Sequence, residues 1–231
     1  QFGTYRITLC LEAGRTYALR AMAVNFAQRL WIDGAEQEAV GWPGENAAST
    51  SPSARTVLCV FTPQGGETEI VLQYANFVYR GGGEAYPLYV SEYGNIIRME
   101  QSLLFRACMI AGCMLTLFVF YLGMWLFFQR RPYFLAFSVS CLAIALHGLL
   151  VGQKFLTRLL PSLNWYAAMK LEYIALIVMI AAFILYIAGM FPGLLHRKGL
   201  AVYLAFSAAF FLVVLATQPA VYSWGLLVFQ A

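Results

Sequence analysis

The sequence predicts an antiparallel β-sandwich followed by an all-α transmembrane bundle. Of its 231 residues, 61% are apolar and 11% are charged, which leaves too little polar surface to cover a soluble globule. Every apolar run long enough to cross a bilayer lies after about residue 100, whereas short β-patterned segments precede it. We therefore expect a β-sandwich domain over residues 1–97 and a helical bundle over residues 98–231.

The charge distribution separates the same two regions. Residues 1–100 carry seven Arg, no Lys and ten acidic residues, a net charge of −3. Residues 101–231 carry eight Lys and Arg against a single acid, Glu172, a net charge of +7. Cations of a bundle belong mainly at helix ends, and no basic run with interleaved aromatics occurs in the first hundred residues. The positive total therefore does not indicate a nucleic-acid partner.

Six segments of the first region have the residue pattern of strands. They cover 4–11, 16–24, 28–32, 56–61, 69–74 and 87–90. Asp33-Gly34 predicts a tight turn, because both residue types tolerate positive φ. The stretch 41–53 is rich in Gly, Pro, Ser and Asn and predicts a long surface loop.

The second region contains four apolar runs of bilayer-spanning length. They cover about 103–128, 133–151, 165–191 and 200–216. A fifth run starts at residue 221 and offers about nine residues, too few to cross a bilayer as a helix. Residues 1 and 2 lead straight into a strand, with no export signal before it. We therefore expect a chain truncated at both ends, with further strands of the sandwich upstream.

Loop charges predict the orientation. Basic residues at 130–131 and 196–198 connect spans one to two and three to four, so both connections are expected in the cytoplasm. The β domain then lies outside the plasma membrane of a multi-pass protein. Lys154 and Arg158 run against this rule, because they fall in an outer connection. We interpret 155–163 as a short amphipathic segment on the outer membrane surface.

Several motifs carry a family resemblance. Residues 3–7 (GTYRI), 29–34 (RLWIDG) and 70–77 (IVLQYANF) before the glycines 81–83 resemble the galactose-binding-like jelly roll, with Asp33 in place of the usual Asn. Such a domain joined directly to apolar helices resembles the bacterial seven-transmembrane receptors with diverse intracellular signalling modules. The segments 132–137, 149–156 and 170–173 are further matches to that family.

The resemblance implies the sensory part of a bacterial signalling protein. Its outer domain would bind a carbohydrate-like or other small ligand. Its helices would transmit to a cytoplasmic histidine kinase, diguanylate cyclase or adenylate cyclase located beyond Ala231. The sequence contains no glycine-rich nucleotide loop, no Gly-x-Ser-x-Gly elbow and no His/Glu metal pair. We expect no enzyme activity and no cofactor in this fragment, and a homodimer embedded in the lipid bilayer.

Candidate ligand contacts are the polar and aromatic residues on predicted loops, because sugars are recognised by planar rings and fork-like polar groups. They are Trp42, Asn76, Tyr79, Arg80, Glu84 and Tyr86. The alternative is structural: the glycines 81–83 serve only a turn, and the aromatics pack against the first helix or at the membrane interface.

Within the spans, Glu172 is the most informative position, because an ionisable group in a membrane is costly and normally faces a partner inside the bundle. His147 lies at a similar depth in the neighbouring span and is the candidate partner. The pair either takes part in signalling or only locks two helices together. In the outer domain, a disulfide between Cys10 and Cys59 remains open, as does burial of both thiols in the core.

Three classes of function fit an outer domain on a helical bundle. The short link between the two favours a receptor in which ligand binding biases two packings of the helices. A transporter would need broken helices around a midplane site, and an enzyme a convergent catalytic set; the sequence indicates neither clearly. A membrane-anchored structural or protein-interaction module is a further alternative.

Overall fold

The computed structural model describes residues 2–22, 25–79 and 87–229, without the side chains of 226–229. The chain divides into two compact units. The first, the β unit, comprises Gln1–Leu104 together with Gly152–Trp165. The second, the helical unit, comprises Phe105–Val151 and Tyr166–Ala231. The β unit therefore contains a segment from between two apolar helices, far from the rest of the unit along the chain.

Seven strands in two antiparallel sheets form the β unit within the described residues. They are β1 Phe2–Cys10, β2 Tyr17–Ala21, β3 Ala27–Ile32, β4 Ala35–Val40, β5 Val57–Phe61, β6 Glu67–Ala75 and β7 Tyr89–Glu92. The first sheet has the order β1-β6-β3-β4 and the second β5-β2-β7. This confirms an antiparallel β region before the helices. The sequence did not predict β4, because its Ala-Glu-Gln-Glu stretch has low β propensity.

The β3–β4 connection is a two-residue hairpin. Asp33 and Gly34 have φ values of 48° and 75°, as a tight turn between antiparallel strands requires, and Ile32 pairs with Ala35. The Asp33 Oδ1 atom accepts a hydrogen bond from the Glu69 amide at 2.7 Å. The predicted turn at Asp33-Gly34 is thus confirmed, and this hydrogen bond also connects it to β6.

The core of the β unit lies between the two sheets. Alternate residues of β2, β3 and β6 point inward, and Leu19, Leu30, Ile70 and Leu72 are almost completely buried there. In β1, by contrast, Tyr5 remains half exposed although it pairs with Leu72 of the core. The inner face of β1 is therefore only partly covered by the described part of the chain.

Six helices follow the strands in the described residues. They are α1 Tyr93–Gly123, continued by a π-helical turn at Met124–Phe128, then α2 Pro132–Leu150, α3 Phe155–Leu159, α4 Trp165–Met190, α5 Arg197–Ala216 and α6 Pro219–Phe229. Four of them, Tyr93–Phe128 and α2, α4 and α5, are long and apolar enough to cross a membrane. By length and composition, this is a membrane protein.

The start of α1 differs from the sequence prediction. The apolar pattern begins at residue 103, yet the helix begins at Tyr93, ten residues earlier. Residues 93–102 include Arg98, Glu100 and Gln101, and these polar residues concealed the start of the helix from a search for apolar runs. The predicted boundary at 97/98 falls inside this helix.

Hydroxyl groups join the helices of the helical unit. Ser138 of α2 donates to the Phe118 carbonyl of α1 at 3.2 Å. Ser140, also on α2, donates to the Met179 carbonyl of α4 at 3.0 Å. Such hydrogen bonds between apolar helices replace the hydrophobic driving force that a bilayer does not supply.

Candidate functional site

Strand β2 presents a buried arginine on the face of its sheet that points away from the core. Leu19 and Ala21 point into the core, so Ala18 and Arg20 point to the opposite face. An outer sheet face is normally solvated, but Ala18 and Arg20 are 0% and 1% exposed. Another part of the β unit must therefore cover this face and neutralise the guanidinium.

Glu100 of α1 and Gln153 of the 152–165 segment supply that cover. The Arg20 Nε atom donates to Glu100 Oε2 at 2.7 Å, and Arg20 Nη2 donates to Gln153 Oε1. Glu100 and Gln153 are separated from Arg20 by 80 and 133 positions in sequence. A single buried side chain thus contacts the sheet, the first helix and the α2–α4 connection.

Arg158 completes the cluster from the short helix α3. Its Nη1 atom lies 2.7 Å from Glu100 Oε1, so each carboxylate oxygen of Glu100 meets a different guanidinium. The Glu100 side chain is 13% exposed and that of Arg158 30%. We call Arg20, Glu100, Gln153 and Arg158 together the Glu100 junction. It contains two cations and one anion, so removing the anion would leave unbalanced buried charge.

The backbone of the 152–165 segment turns sharply after α2 and so positions the side chains of Gln153 and Arg158. Gly152 and Lys154 have φ values of 68° and 50°, a left-handed conformation that reverses the chain after α2. The Lys154 carbonyl then accepts hydrogen bonds from the Thr157 hydroxyl at 2.7 Å and from the Arg158 amide at 3.3 Å. The Thr157 hydroxyl also lies 3.4 Å from the Ala54 carbonyl of the β unit. Lys154 itself is buried.

This finding accounts for the two cations that run against the charge rule. Arg158 is paired with Glu100, and Lys154 is buried in the β unit. Both positions therefore have a structural role in the β unit. The structure also gives the segment predicted as amphipathic a protein partner through Thr157 and Arg158.

Trp42 is the most accessible of the candidate ligand residues that lie within the described part of the chain. The Trp42 residue is 56% exposed. The Arg29 guanidinium lies over its ring, 4.5 Å from the centroid, and 5.1 Å from the ring centroid of Trp31. Backbone hydrogen bonds with Ser51 at 2.8 and 2.9 Å fix the loop. Glu36 binds Arg29 through both oxygens, and this hydrogen bonding lowers the pKa of the Glu36 carboxyl. The ring is thus held rigidly with much of its surface open.

Two of the other predicted ligand residues, Asn76 and Tyr79, lie among the described residues, in the turn after β6. Asn76 is buried, and its Oδ1 atom accepts hydrogen bonds from the amides of Val78 and Tyr79 at 3.3 and 3.0 Å. This geometry shapes the turn after β6. Tyr79 is half-buried. The remaining three candidates, Arg80, Glu84 and Tyr86, lie outside the described residues.

In the helical unit, the His147 side chain of α2 lies against α4 at Glu172. The His147 Nδ1 atom lies 3.2 Å from the backbone carbonyl oxygen of Glu172, a contact with the main chain of α4. Lys170 donates to the Leu215 carbonyl near the end of α5 at 2.7 Å. The two contacts connect α2 to α4 and α4 to α5, respectively.

The cysteines of the β unit are free thiols. Cys10 is exposed on β1, whereas Cys59 is buried on β5 of the other sheet. Burial, together with the nearby Glu38 carboxylate, raises the pKa of the Cys59 thiol to about 12. Among the described residues, no group of three His, Cys, Asp or Glu side chains could hold a metal ion.

An apolar groove opens between the two sheets on the β1 side. Its volume is about 400 Å³, within the range of small-molecule sites. Tyr5, Ile7 and Leu72 of the first sheet line it, with Leu88 from the residues before β7. The groove is a second place in the β unit where a ligand could be held.

Sequence reasoning missed all four residues of the Glu100 junction. One signal was available: Arg20 interrupts the apolar pattern of a strand whose neighbours are Leu19 and Ala21. A second was Arg158, a cation in a connection where the charge rule disfavours it. No local pattern could predict how these residues pair, because their partners are distant in sequence.

Comparison with known proteins gives no match: no family model fits the chain, and no curated protein or solved structure is similar to it.

Proposed function

We propose that this chain is the sensory part of a bacterial transmembrane receptor. Its β unit is a jelly-roll-like domain outside the plasma membrane that binds a small extracellular ligand of the carbohydrate class. The helices transmit binding to a cytoplasmic output domain, and the receptor works as a homodimer. The chain itself catalyses no reaction.

One observation carries this proposal: the β unit continues into α1 without a linker. Strand β7 ends at Glu92 and α1 begins at Tyr93. The helix then stays in the β unit as far as Leu104 before it enters the helical unit. A domain that only decorates a membrane anchor needs no such continuity, whereas a sensor must pass displacement of its sheet to a helix.

The Glu100 junction supports the same function. It connects β2 to α1 and to the segment between α2 and α4. A change in the β unit would therefore reach three of the apolar helices through their ends. Energetic coupling of this kind requires an element with two arrangements that ligand binding can bias.

Ligand binding is tested by the thermal stability of the purified full chain across a panel of mono- and oligosaccharides. A ligand that binds only the folded state raises the free energy of unfolding, by about 2.7 kcal/mol at a hundredfold excess over Kd, and the unfolding midpoint rises with it. We expect a saturable stabilisation that Trp42→Ala abolishes. The control is Trp224→Ala, which removes an equally exposed indole from α6 of the helical unit.

The site within the β unit is resolved by a third variant, Ile7→Ser, in the apolar groove. Loss of the stabilisation in Ile7→Ser but not in Trp42→Ala would move the ligand to the groove and favour an apolar compound. If no compound stabilises a chain that unfolds cooperatively, the ligand-binding proposal is contradicted.

A further inference from the structure

Two basic connections lie at the same end of the helical unit. Residues 129–131 lead into α2, and residues 191–196 lead from α4 into α5. The first turn of α2 contacts the last turn of α4 so closely that a Cβ atom at Gly189 would lie 2.8 Å from the Cβ atom of Tyr133. The start of α2 and the end of α4 are therefore neighbours, and so are the connections attached to them.

Four cations gather at this end of the helical unit without a counter-charge. They are Arg130, Arg131, Arg197 and Lys198, which we call together the basic end. All four are exposed, and none of them forms an ion pair within the described part of the chain. Glu172, the one acid of residues 101–231, lies about 25 Å away along α4. This distance exceeds the Debye length of about 8 Å, so the basic end is free to attract an external anion.

The first connection holds its two arginines on a short and well-defined backbone. The Gln129 amide donates to the Met124 carbonyl at 2.9 Å, and the Arg131 amide donates to the Gln129 carbonyl at 2.7 Å. Pro132 then begins α2. Because only three residues separate the π-helical turn from α2, little conformational freedom is left to lose when the guanidinium groups bind an anion.

Exposed apolar side chains lie beside the cations in both connections. Phe127 and Phe128, just before the first connection, are 83% and 80% exposed. Phe191 and Leu194, in the second connection, are 55% and 66% exposed. A free inorganic anion would use only the cations, whereas a phospholipid offers a phosphate to the cations and acyl chains to the apolar side chains. The combination therefore favours a phospholipid as the occupant.

We propose that the basic end binds an anionic phospholipid of the surrounding bilayer. The headgroup phosphate lies between the two connections, and the acyl chains pack on the neighbouring Phe and Leu side chains. Charge complementarity selects a headgroup with net negative charge, because a zwitterionic headgroup brings its own cation. One lipid bound to both connections would stabilise the packing of α2 on α4 at this end. The site is separate from the β unit and does not depend on the receptor function proposed above.

Thermal unfolding of the full chain in detergent micelles, titrated with phosphatidylglycerol, tests the site. Phosphatidylcholine with the same acyl chains is the uncharged comparison. We expect a saturable stabilisation of the wild type by phosphatidylglycerol and little by phosphatidylcholine. In the double variant Arg130→Gln/Arg131→Gln, the apparent Kd for phosphatidylglycerol should be about thirtyfold weaker, because two cations that attract the headgroup are lost.

A second double variant and a matched control locate the effect. Arg197→Gln/Lys198→Gln should weaken binding about as much, because the lipid contacts both connections. Arg106→Gln/Lys170→Gln removes the same charge from α1 and α4 away from the basic end and should leave the Kd unchanged.

Two further measurements distinguish a lipid from a free anion. Phe127→Ser/Phe128→Ser keeps every charge and should weaken phosphatidylglycerol binding, because the acyl chains lose their contacts. Inorganic phosphate should neither stabilise the chain nor compete with the lipid.

Three results would overturn the proposal. Equal stabilisation by phosphatidylglycerol and phosphatidylcholine would show that charge does not select the lipid. Equal weakening in the Arg106→Gln/Lys170→Gln control would indicate a diffuse attraction to the whole helical unit. Competition by inorganic phosphate would identify a free anion as the occupant. None of these measurements uses a ligand of the β unit, so the test of the receptor proposal stands apart from them.

Discussion

At the residue scale, the most consequential side chain is Arg20. Placing an arginine on a sheet face that is then covered is costly, because a buried cation must find charge and hydrogen-bond partners. Glu100 and Gln153 supply them from two other segments. The arginine therefore specifies which segments cover the outer face of β2, since an apolar residue at this position would accept many alternatives.

We expect Glu100→Ala to lower the free energy of unfolding of the β unit by about 3–5 kcal/mol, because Arg20 is left buried without a counter-charge. The matched control, Glu38→Ala, removes the partner of the more exposed Arg55 and should cost less than about 1 kcal/mol. Thermal unfolding of the full chain, followed by the β-sheet circular dichroism signal, measures both. Equal losses in the two variants would show that the junction contributes no more than a surface ion pair.

At the scale of elements, the loop after β4 depends on a glycine that permits a close approach. Gly41 has a φ of 73°, and a Cβ atom there would lie 2.2 Å from the Ser51 carbonyl oxygen. Gly34, in the β3–β4 turn, has a nearly equal φ of 75° with nothing within 4 Å of the same position. Comparing an alanine substitution at each glycine therefore distinguishes the cost of backbone strain, present at both positions, from the cost of a steric clash, present only at Gly41.

Gly34→Ala should destabilise the β unit by about 1 kcal/mol, the cost of a left-handed conformation for a residue with Cβ. Gly41→Ala should cost about 2–4 kcal/mol, because it adds a clash that opens the Trp42–Ser51 bridge. The difference is measurable as a lower unfolding midpoint. A similar midpoint for the two variants would indicate that the loop closes differently around Trp42.

Most elements could be predicted from the sequence because their signals are local. The turn at Asp33-Gly34 and the apolar runs of the helices depend on adjacent residues and on simple periodicity. Strand β4 and the first ten residues of α1 could not be predicted, because polar side chains conceal both. The candidate functional site was harder to predict than the elements. Trp42 was found as an exposed aromatic, whereas Arg20 and Glu100 acquire their role only through a contact across 80 residues.

At the scale of the whole molecule, the chain alternates between its two units. It leaves the β unit along α1, returns with Gly152–Trp165, and continues into α4. Two successive membrane crossings return a chain to the side from which it started. The membership of 152–165 in the β unit is therefore what a membrane topology with α1 and α2 as spans requires.

The topology is also the basis of the receptor proposal, because a sensor of external ligands needs its β unit outside. By the positive-inside rule, the basic connections 130–131 and 196–198 favour the cytoplasm for their side of the bundle, which is the orientation we propose. Arg158 and Lys154, the two cations of the opposite connection, are paired with Glu100 and buried in the β unit, respectively.

Cysteine accessibility in intact cells tests this orientation most directly. In a background with the native cysteines replaced, single cysteines are placed at Leu160, in the β unit, and at Gln129, between α1 and α2; both positions are exposed. We predict that a membrane-impermeant thiol reagent labels the cysteine at position 160 in intact cells and the one at 129 only after permeabilisation. Labelling of position 129 in intact cells, with 160 protected, would contradict an extracytoplasmic β unit and with it the receptor proposal.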